Sequence, residues 1–399
     1  MKMKPDIIYL FYFAIFLCLY GFISSSYAQK FEAQTVDTQV AIGYGLAIGD
    51  VDGDGKVDII LADKKQFVWY RNGDWKRFLI AENLTEYDNV CVAARDIDGD
   101  GKVEIAVGAQ WNPSETTDEQ KSGSVFYLSR PQDVTSQTWK AVRLHHEPTT
   151  HRMRWVQTGK NQYVLVVVPL HGRGNTVNAP PTMRDATAKE AGVKVMAYTV
   201  PKNPETDKWE LTVLDESLHA THNFEVLEFD KQTIILLGGK EGIKRIAYKN
   251  GKWKNEGWQV EGYGFGEVRS GILAKNKRFV VGIEPMHGNE LSVYAFDNQK
   301  ERQSLYKDFH QGHALACGDV LGLGYDQIVA GWRNPNNENK VGIKLFYSDK
   351  NGKNWQAVII DDNTMACEDL QLADLDGNGK LDVIAAGRAT NNLVIYWNR

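Results

Sequence analysis

Cysteine is scarce in this sequence: four in 399 residues, one of them inside the leading apolar stretch. The remaining Cys91, Cys317 and Cys367 are odd in number and give no disulfide framework. They lie in apolar, strand-like stretches where a thiol acts as a small hydrophobe; a Cys317–Cys367 bridge is one open alternative. Basic excess is also missing. With 46 Lys and Arg against 51 Asp and Glu, the net charge of −5 offers nucleic acid no cationic stripe. Dinucleotide-loop spacing, a phosphate loop and a nucleophile elbow are all absent. His146-Glu147-Pro148-Thr149-Thr150-His151 imitates a zinc-protease helix, but its second histidine comes one residue late and proline breaks the helix.

Proline is sparse too, at 11, whereas glycine reaches 36 and aromatics abound, with 17 Tyr, 15 Phe and 11 Trp. That balance suits many short strands joined by tight turns. Only the N-terminus carries a long hydrophobic run, Ile7 to Ile23, after Lys2 and Lys4 and before Ser24-Ser25-Ser26-Tyr27-Ala28. Small residues at Ser26 and Ala28 fit cleavage of a signal peptide before Gln29. A retained anchor is the alternative, since the run nearly reaches spanning length. Residues 1–28 are therefore expected to be a signal peptide, and 29–399 one secreted or periplasmic domain with no stable membrane span after cleavage.

What is present is a repeat. GDVDGDGKVDI from Gly49, RDIDGDGKVEI from Arg95 and ADLDGNGKLDV from Ala373 are nearly the same, and GDVLGLGYDQI from Gly318 keeps the frame without the acids. Around each, a short apolar strand enters the loop, a strongly apolar strand leaves it, and an aromatic-rich strand follows. Tryptophan opens most fourth strands, at Trp75, Trp139, Trp209, Trp253 and Trp355. Frame positions Asp50, Asp96, Gln157, Glu228, Ala274, Asp319 and Asp374 recur at propeller-blade spacing with insertions. The pattern predicts an all-β, seven-bladed β-propeller. Its last blade stops after three strands, and FEAQTVDT from Phe31 is placed to supply the fourth and close the ring.

The alternating acids Asp50, Asp52, Asp54 and Asp58 can converge on one hard cation, with Gly53 and Gly55 allowing the tight path. Asp96, Asp98, Asp100 and Glu104 repeat the pattern, as do Asp374, Asp376, Asn378 and Asp382. Structural calcium is expected there; plain solvated turns are the bland alternative. With these motifs the sequence resembles the FG-GAP/VCBS repeat family of calcium-binding β-propellers. THRMRWV from Thr150, VPLHGRG from Val168, THNFEVLEFD from Thr221 and GHALACGDV from Gly312 further resemble the propeller portion of the aldos-2-ulose dehydratase family. That resemblance implies chemistry on keto-sugars.

Blade register also gathers titratable groups. Six residues before each frame position stand Tyr44, Val90, His151, His222, Val268, His313 and Glu368, all at the start of a channel-lining strand. Loops after the second strands add Asp63, Trp111, His171 with Arg173, Lys240 with Glu241, His287, Trp332 with Arg333, and Arg388 to the same rim. Neutral imidazoles suit zinc or another divalent transition metal. The expected ligands are His222, His287 and His313, with His151 or His171 as proton carrier and Arg152 and Arg173 on substrate or enolate oxygens. Trp111, Trp332, Arg333 and Glu368 are expected to contact a carbohydrate substrate. Together they suggest a metal-assisted carbon–oxygen lyase, dehydratase or hydratase. The alternatives are a non-catalytic propeller binding glycan or protein, and a hydrolase using Glu368 and Glu241.

Overall fold

The computed structural model describes residues 30–175, 191–229 and 232–399; the expected signal peptide lies outside them. Seven four-stranded antiparallel sheets form the blades. Their inner strands are Gly45–Gly49, Cys91–Arg95, Thr150–Gly159, Thr221–Phe229, Val268–Ile272, Gly312–Gly318 and Cys367–Ala373. Each touches the next in chain order, and the last touches the first. Chain segments hundreds of residues apart therefore share one axis.

Hydrophobic patterning explains the layering. Second strands are near-continuous apolar runs because both faces are covered by neighbouring blades. Asp58–Ala62 and Gln327–Trp332, for example, are buried throughout. Outer strands such as Gln356–Asp362 are mostly exposed. The core lies between blades: Ile60, Trp69 and Phe78 of blade 1 pack with Ile105, Val107 and Leu128 of blade 2. Each large side chain so buried contributes about 1.5–3 kcal/mol. The fourth-strand tryptophans serve these seams, with Trp139 and Trp209 buried in adjacent clusters.

Blade 7 consists of Cys367–Ala373, Asp382–Gly387 and Asn392–Asn398. The N-terminal strand Phe31–Asp37 pairs antiparallel with Asn392–Asn398, from Phe31 opposite Asn398 to Asp37 opposite Leu393. Cys91, Cys317 and Cys367 are all free, so the Cys317–Cys367 bridge does not form. Among the described residues, no helix is long and apolar enough to cross a membrane.

The acidic loops occupy the far end of the inner strands. Asp50 accepts hydrogen bonds from Gly53 N (2.6 Å) and Gly55 N (2.7 Å), and Asp96 and Asp319 repeat this cradle. Eight residues on, Asp58, Glu104 and Asp382 accept from Val51 N, Ile97 N and Leu375 N. Gln327 does the same job for Leu321 N in the loop without acids. The corner therefore needs an acceptor at that place, not a charge. Oxygens of Asp50, Asp52 and Asp58 converge, as do those of Asp96, Asp98 and Glu104, and of Asp374, Asp376 and Asp382. Asp54, Asp100 and Asn378 stand outside these groups and instead cap Lys56 N, Lys102 N and Lys380 N. Burial, opposed by the backbone donors, pushes Asp58 and Glu104 up to about 7.

Candidate functional site

The histidine rim is built by a recurring defect. Register slips between Thr150 and Arg152, Thr221 and Phe224, Gly312 and Ala314, and Cys367 and Asp369. Each slip holds a site residue: His151, His222, His313 and Glu368. A bulge re-aims a side chain that regular pairing would leave on a blade face. The inner strands of blades 1, 2 and 5 pair without such a slip.

Three imidazoles meet at the axis. His222 and His313 come from bulged strand entries, and His287 from the loop after the second strand of blade 5. Their nearest ring nitrogens all lie within 4.8 Å of one another, with ring centroids 4.2 to 5.1 Å apart. Nε2 of His287 faces Nε2 of His222 in direct contact. Nδ1 of His222 is bonded to Gly266 O at 2.9 Å, and Nδ1 of His313 to Glu368 O at 2.6 Å. A carbonyl can only accept, so Nδ1 carries the hydrogen and Nε2 presents a lone pair inward. Glycine makes the approach feasible: a Cβ at Gly288 would sit 2.0 Å from Glu284 O, and one at Gly266 2.3 Å from Met286 O.

His151 stands beside the triad. Its Nδ1 is bonded to His222 O at 2.9 Å, its ring centroid is 4.5 Å from that of His222, and Trp111 stacks on it at 5.0 Å. Burial is the main cause that holds His151, His222 and His313 well below the ordinary histidine range; the charge of Arg152 or Arg333 adds to it. His287 is driven down to about 2 by burial, then by His222 and Arg333. These rings are neutral lone-pair donors, as a soft divalent metal requires.

The sign of the pH dependence follows. Folded values lie below the unfolded value of about 6.5, so between them the unfolded chain binds more protons. In the metal-free chain this contribution to stability is fully present above about pH 6.5 and is lost as pH falls, by up to roughly 1.4 kcal/mol per pH unit for each histidine. Asp58 and Glu104, raised to about 7, act with the opposite sign over the same range, so the histidine share is read in an Asp58→Asn/Glu104→Gln chain. Its urea midpoint should fall from about pH 7 to about pH 5, and a flat profile there would contradict buried neutral rings.

Other expected residues are placed as follows. Glu368 is buried and held by Arg333 Nη1 at 2.8 Å and Arg388 Nη1 at 2.9 Å, with one oxygen 4.0 Å from His313 Nε2. Arg333 also donates to Gln311 Oε1. Arg388 lies over Tyr44, whose hydroxyl donates to Asp88 at 3.1 Å. Trp332 does not offer a ring to the funnel: it is buried, stacked on Phe309, with Nε1 donating to Lys340 O. Arg173 is committed elsewhere, to Glu147, Glu119 and Thr117 O. His171 is buried at an isolated bridge to Ala220, and burial lowers its pKa. Glu241 binds His219 at 2.8 Å, so no pairing of Glu241 with Glu368 emerges.

The main residue missed is Glu267. Counting six places before Ala274 lands on Val268, whereas the true rim residue of blade 5 is one earlier. Glu267 Oε1 lies 3.2 Å from His222 Nδ1, and Oε2 lies 3.2 Å from Arg269 and accepts from Asn223 at 2.8 Å. Below the histidines this begins an ionic belt with Arg154, Glu225 and Asp369. A cavity of about 280 Å³ lined by Arg154, Glu225 and Gln371 continues along the axis towards the acidic loops.

Fold and acidic loops together define the class: a seven-bladed β-propeller whose early blades carry FG-GAP-like repeats. Residues 50–107 match the FG-GAP-like repeat and 92–128 the FG-GAP repeat. More particularly, residues 122–297, which carry His151, His171, His222, Glu267 and His287, match the aldos-2-ulose dehydratase β-propeller domain. No curated protein matches the chain significantly. Among solved structures it is similar to BBS1N in complex with ARL6DN, at 14% identity and TM-score 0.54, over 93% of this chain and 97% of that one. It is also similar to YCF48 bound to D1 peptide, at 12% identity and TM-score 0.50, over 93% and 96%. At such identities these two likenesses show the propeller fold alone.

Proposed function

We propose that the chain is an exported, metal-assisted carbon–oxygen lyase or dehydratase, or a hydratase in the reverse sense, acting on a sugar or keto-sugar in the funnel. The observation that carries this reading is the convergence of His222, His287 and His313, with the tautomers of His222 and His313 set by backbone carbonyls. The similarity of residues 122–297 to a sugar dehydratase domain supports it. Zinc or another divalent transition metal held there supplies polarisation of the substrate carbonyl. His151, neutral and with Nδ1 occupied, takes the proton from the adjacent carbon at Nε2. Arg152 holds the oxygen that gains charge. The imidazolium then passes its proton to the leaving hydroxyl, so that a carbon–carbon double bond forms and water departs.

Elemental analysis of purified protein, followed by incubation with keto-sugars, tests this. The expected result is close to one transition metal per chain and an ultraviolet-absorbing enone. Metal-free protein that binds glycan without turnover would instead establish a binding propeller.

The three acidic loops are assigned to structural calcium, supported by their converging oxygens and raised carboxyl groups. Calcium at about one hundred times its dissociation constant would stabilise the fold by about 2.7 kcal/mol per site. EGTA should therefore lower the melting temperature and excess calcium restore it. A melting temperature indifferent to calcium would mark the loops as plain turns. Pairing of Phe31–Asp37 with blade 7 is assigned as the ring's clasp.

A further inference from the structure

We propose that calcium in the acidic loops of blades 7 and 1 locks the seam where the ring closes, so that the ion controls docking of the N-terminal strand. This rests on the calcium assignment and goes beyond it, because it gives the three sites different tasks. Along the chain the loops stand far apart, at Asp50, Asp96 and Asp374. In the ring they occupy adjacent blades, since the inner strand of blade 1 touches those of blades 7 and 2. Of the seven sheets, blade 7 alone takes its outer strand from the other end of the chain. That strand can detach without unfolding a covalent neighbour, so the seam is the weak point of the ring.

Two buried asparagines tie the loops together. Asn72, just after the third strand of blade 1, donates from its backbone N to Asp58 Oδ1 at 2.8 Å. Its Nδ2 donates to Val57 O of the same loop at 2.9 Å and to Leu375 O of the blade 7 loop at 2.8 Å. Asn398 repeats the motif one blade back. Its N donates to Asp382 Oδ1 at 2.8 Å, and its Nδ2 to Leu381 O at 3.0 Å and to Val320 O of blade 6 at 2.8 Å. Each asparagine thus holds a carboxylate of a converging group, Asp58 or Asp382, and a carbonyl of the preceding blade. Asn398 also stands opposite Phe31 in the N-terminal strand. Beside it, Arg399 joins Asp376 at 2.5 Å to Glu32 at 3.6 Å and to Lys30 O. At the strand's other end Asp37 accepts the hydroxyl of Tyr70, two residues before Asn72. Both ends of the strand are therefore fastened beside residues that hold the acidic loops. Gln327 shows that the corner itself needs no charge, so the clustered carboxylates repel and loosen these anchors until a cation draws them together. Blade 2 meets blade 1 through Arg130, on Val51 O and Val103 O, one blade away from the N-terminal strand.

Amide hydrogen exchange of the full chain, with and without calcium at about one hundred times its dissociation constant, tests this. At that concentration an opening that releases one ion is suppressed by up to about 100-fold. Phe31–Asp37 should exchange at least about tenfold more slowly with calcium, against less than about threefold for Lys252–Glu261, the outer strand of blade 4. Asp52→Asn/Asp376→Asn should lose the effect on Phe31–Asp37, whereas Asp98→Asn, in blade 2, should keep it. Because the double variant also frees Arg399, Asn72→Ala is the second arm. It leaves every acid in place, should still bind calcium by isothermal titration, and should lose most of the protection. Three outcomes would overturn the seam lock and leave the calcium assignment standing: calcium that raises the melting temperature yet protects both strands alike, protection that survives either seam variant, or protection lost equally in Asp98→Asn. Wild-type chain that binds no calcium would overturn both.

Discussion

His222→Ala is expected to lower transition-metal affinity by more than about 100-fold and to abolish turnover. Losing a supporting partner of a ligand histidine already costs 10–100-fold, and here a ligand itself is removed. The position is more sensitive than His287 or His313 because it is the hub. Its ring approaches those of His151, His287 and His313, and its own carbonyl fixes the tautomer of His151. Alanine keeps the carbonyl, so the orientation of His151 should survive while the metal is lost. Removing a fully buried polar ring also leaves a cavity, so the variant's urea midpoint must be measured alongside. Folded protein with unaltered metal content would refute the assignment of the triad. Glu267→Gln keeps the acceptor for Asn223 but removes the charge beside His222 Nδ1, and should weaken metal binding by about tenfold or more. Because Arg269 loses its buried ion partner as well, the melting temperature should fall too, and metal affinity is compared under conditions where the variant is fully folded.

The propeller was legible because its signals are local and repeated. Three acidic loops in register reveal the blade period, and apolar second strands and fourth-strand tryptophans confirm it without any long-range information. The site was legible only as far as that register held. His222 and His313 were reached because they fall, with His151, at equivalent strand entries, and His287 because it lies in a loop after a second strand, which the register brings to the same rim. Glu267 was not, because blade 5 lacks an acidic loop and its frame residue, Ala274, opens a short 3-10 turn (Ala274–Asn276). One residue of slip there replaces a buried carboxylate by a valine. The bulges at His151, His222, His313 and Glu368 leave no compositional trace, since a bulge is a property of strand pairing, not of either strand. Trp332 shows the opposite limit. A tryptophan beside a funnel arginine resembles a sugar platform in sequence, yet alternation along Gln327–Trp332 turns it into the seam against Phe309. Arg173 likewise lies in a rim loop, but Glu147 and Glu119 draw it outward.

Deleting residues 30–37 should have the second large effect, on stability rather than on chemistry. The N-terminal strand supplies the outer edge of blade 7, joining the first segment of the chain to the last. It buries part of Phe31 and Val36 against the flanking cores. Gln34 accepts Trp397 Nε1 at 2.8 Å, Asp37 accepts the Tyr70 hydroxyl at 2.7 Å, and Arg399 N donates to Lys30 O at 3.1 Å. Half-burial of two large apolar side chains is worth about 2–3 kcal/mol, and the net hydrogen bonds about 1 kcal/mol each. The expected loss is therefore about 5–6 kcal/mol, a large share of the stability of an ordinary domain. The Asn392–Asn398 strand would also become an open edge, a template for pairing between copies. The truncated chain should melt far lower and form concentration-dependent aggregates by light scattering. Adding the residue 30–37 peptide in trans should recover part of the loss, because the contacts are noncovalent. A truncated chain that melts like the intact one would show the ring held by its inner strands alone, and the N-terminal strand would then be a passenger on blade 7.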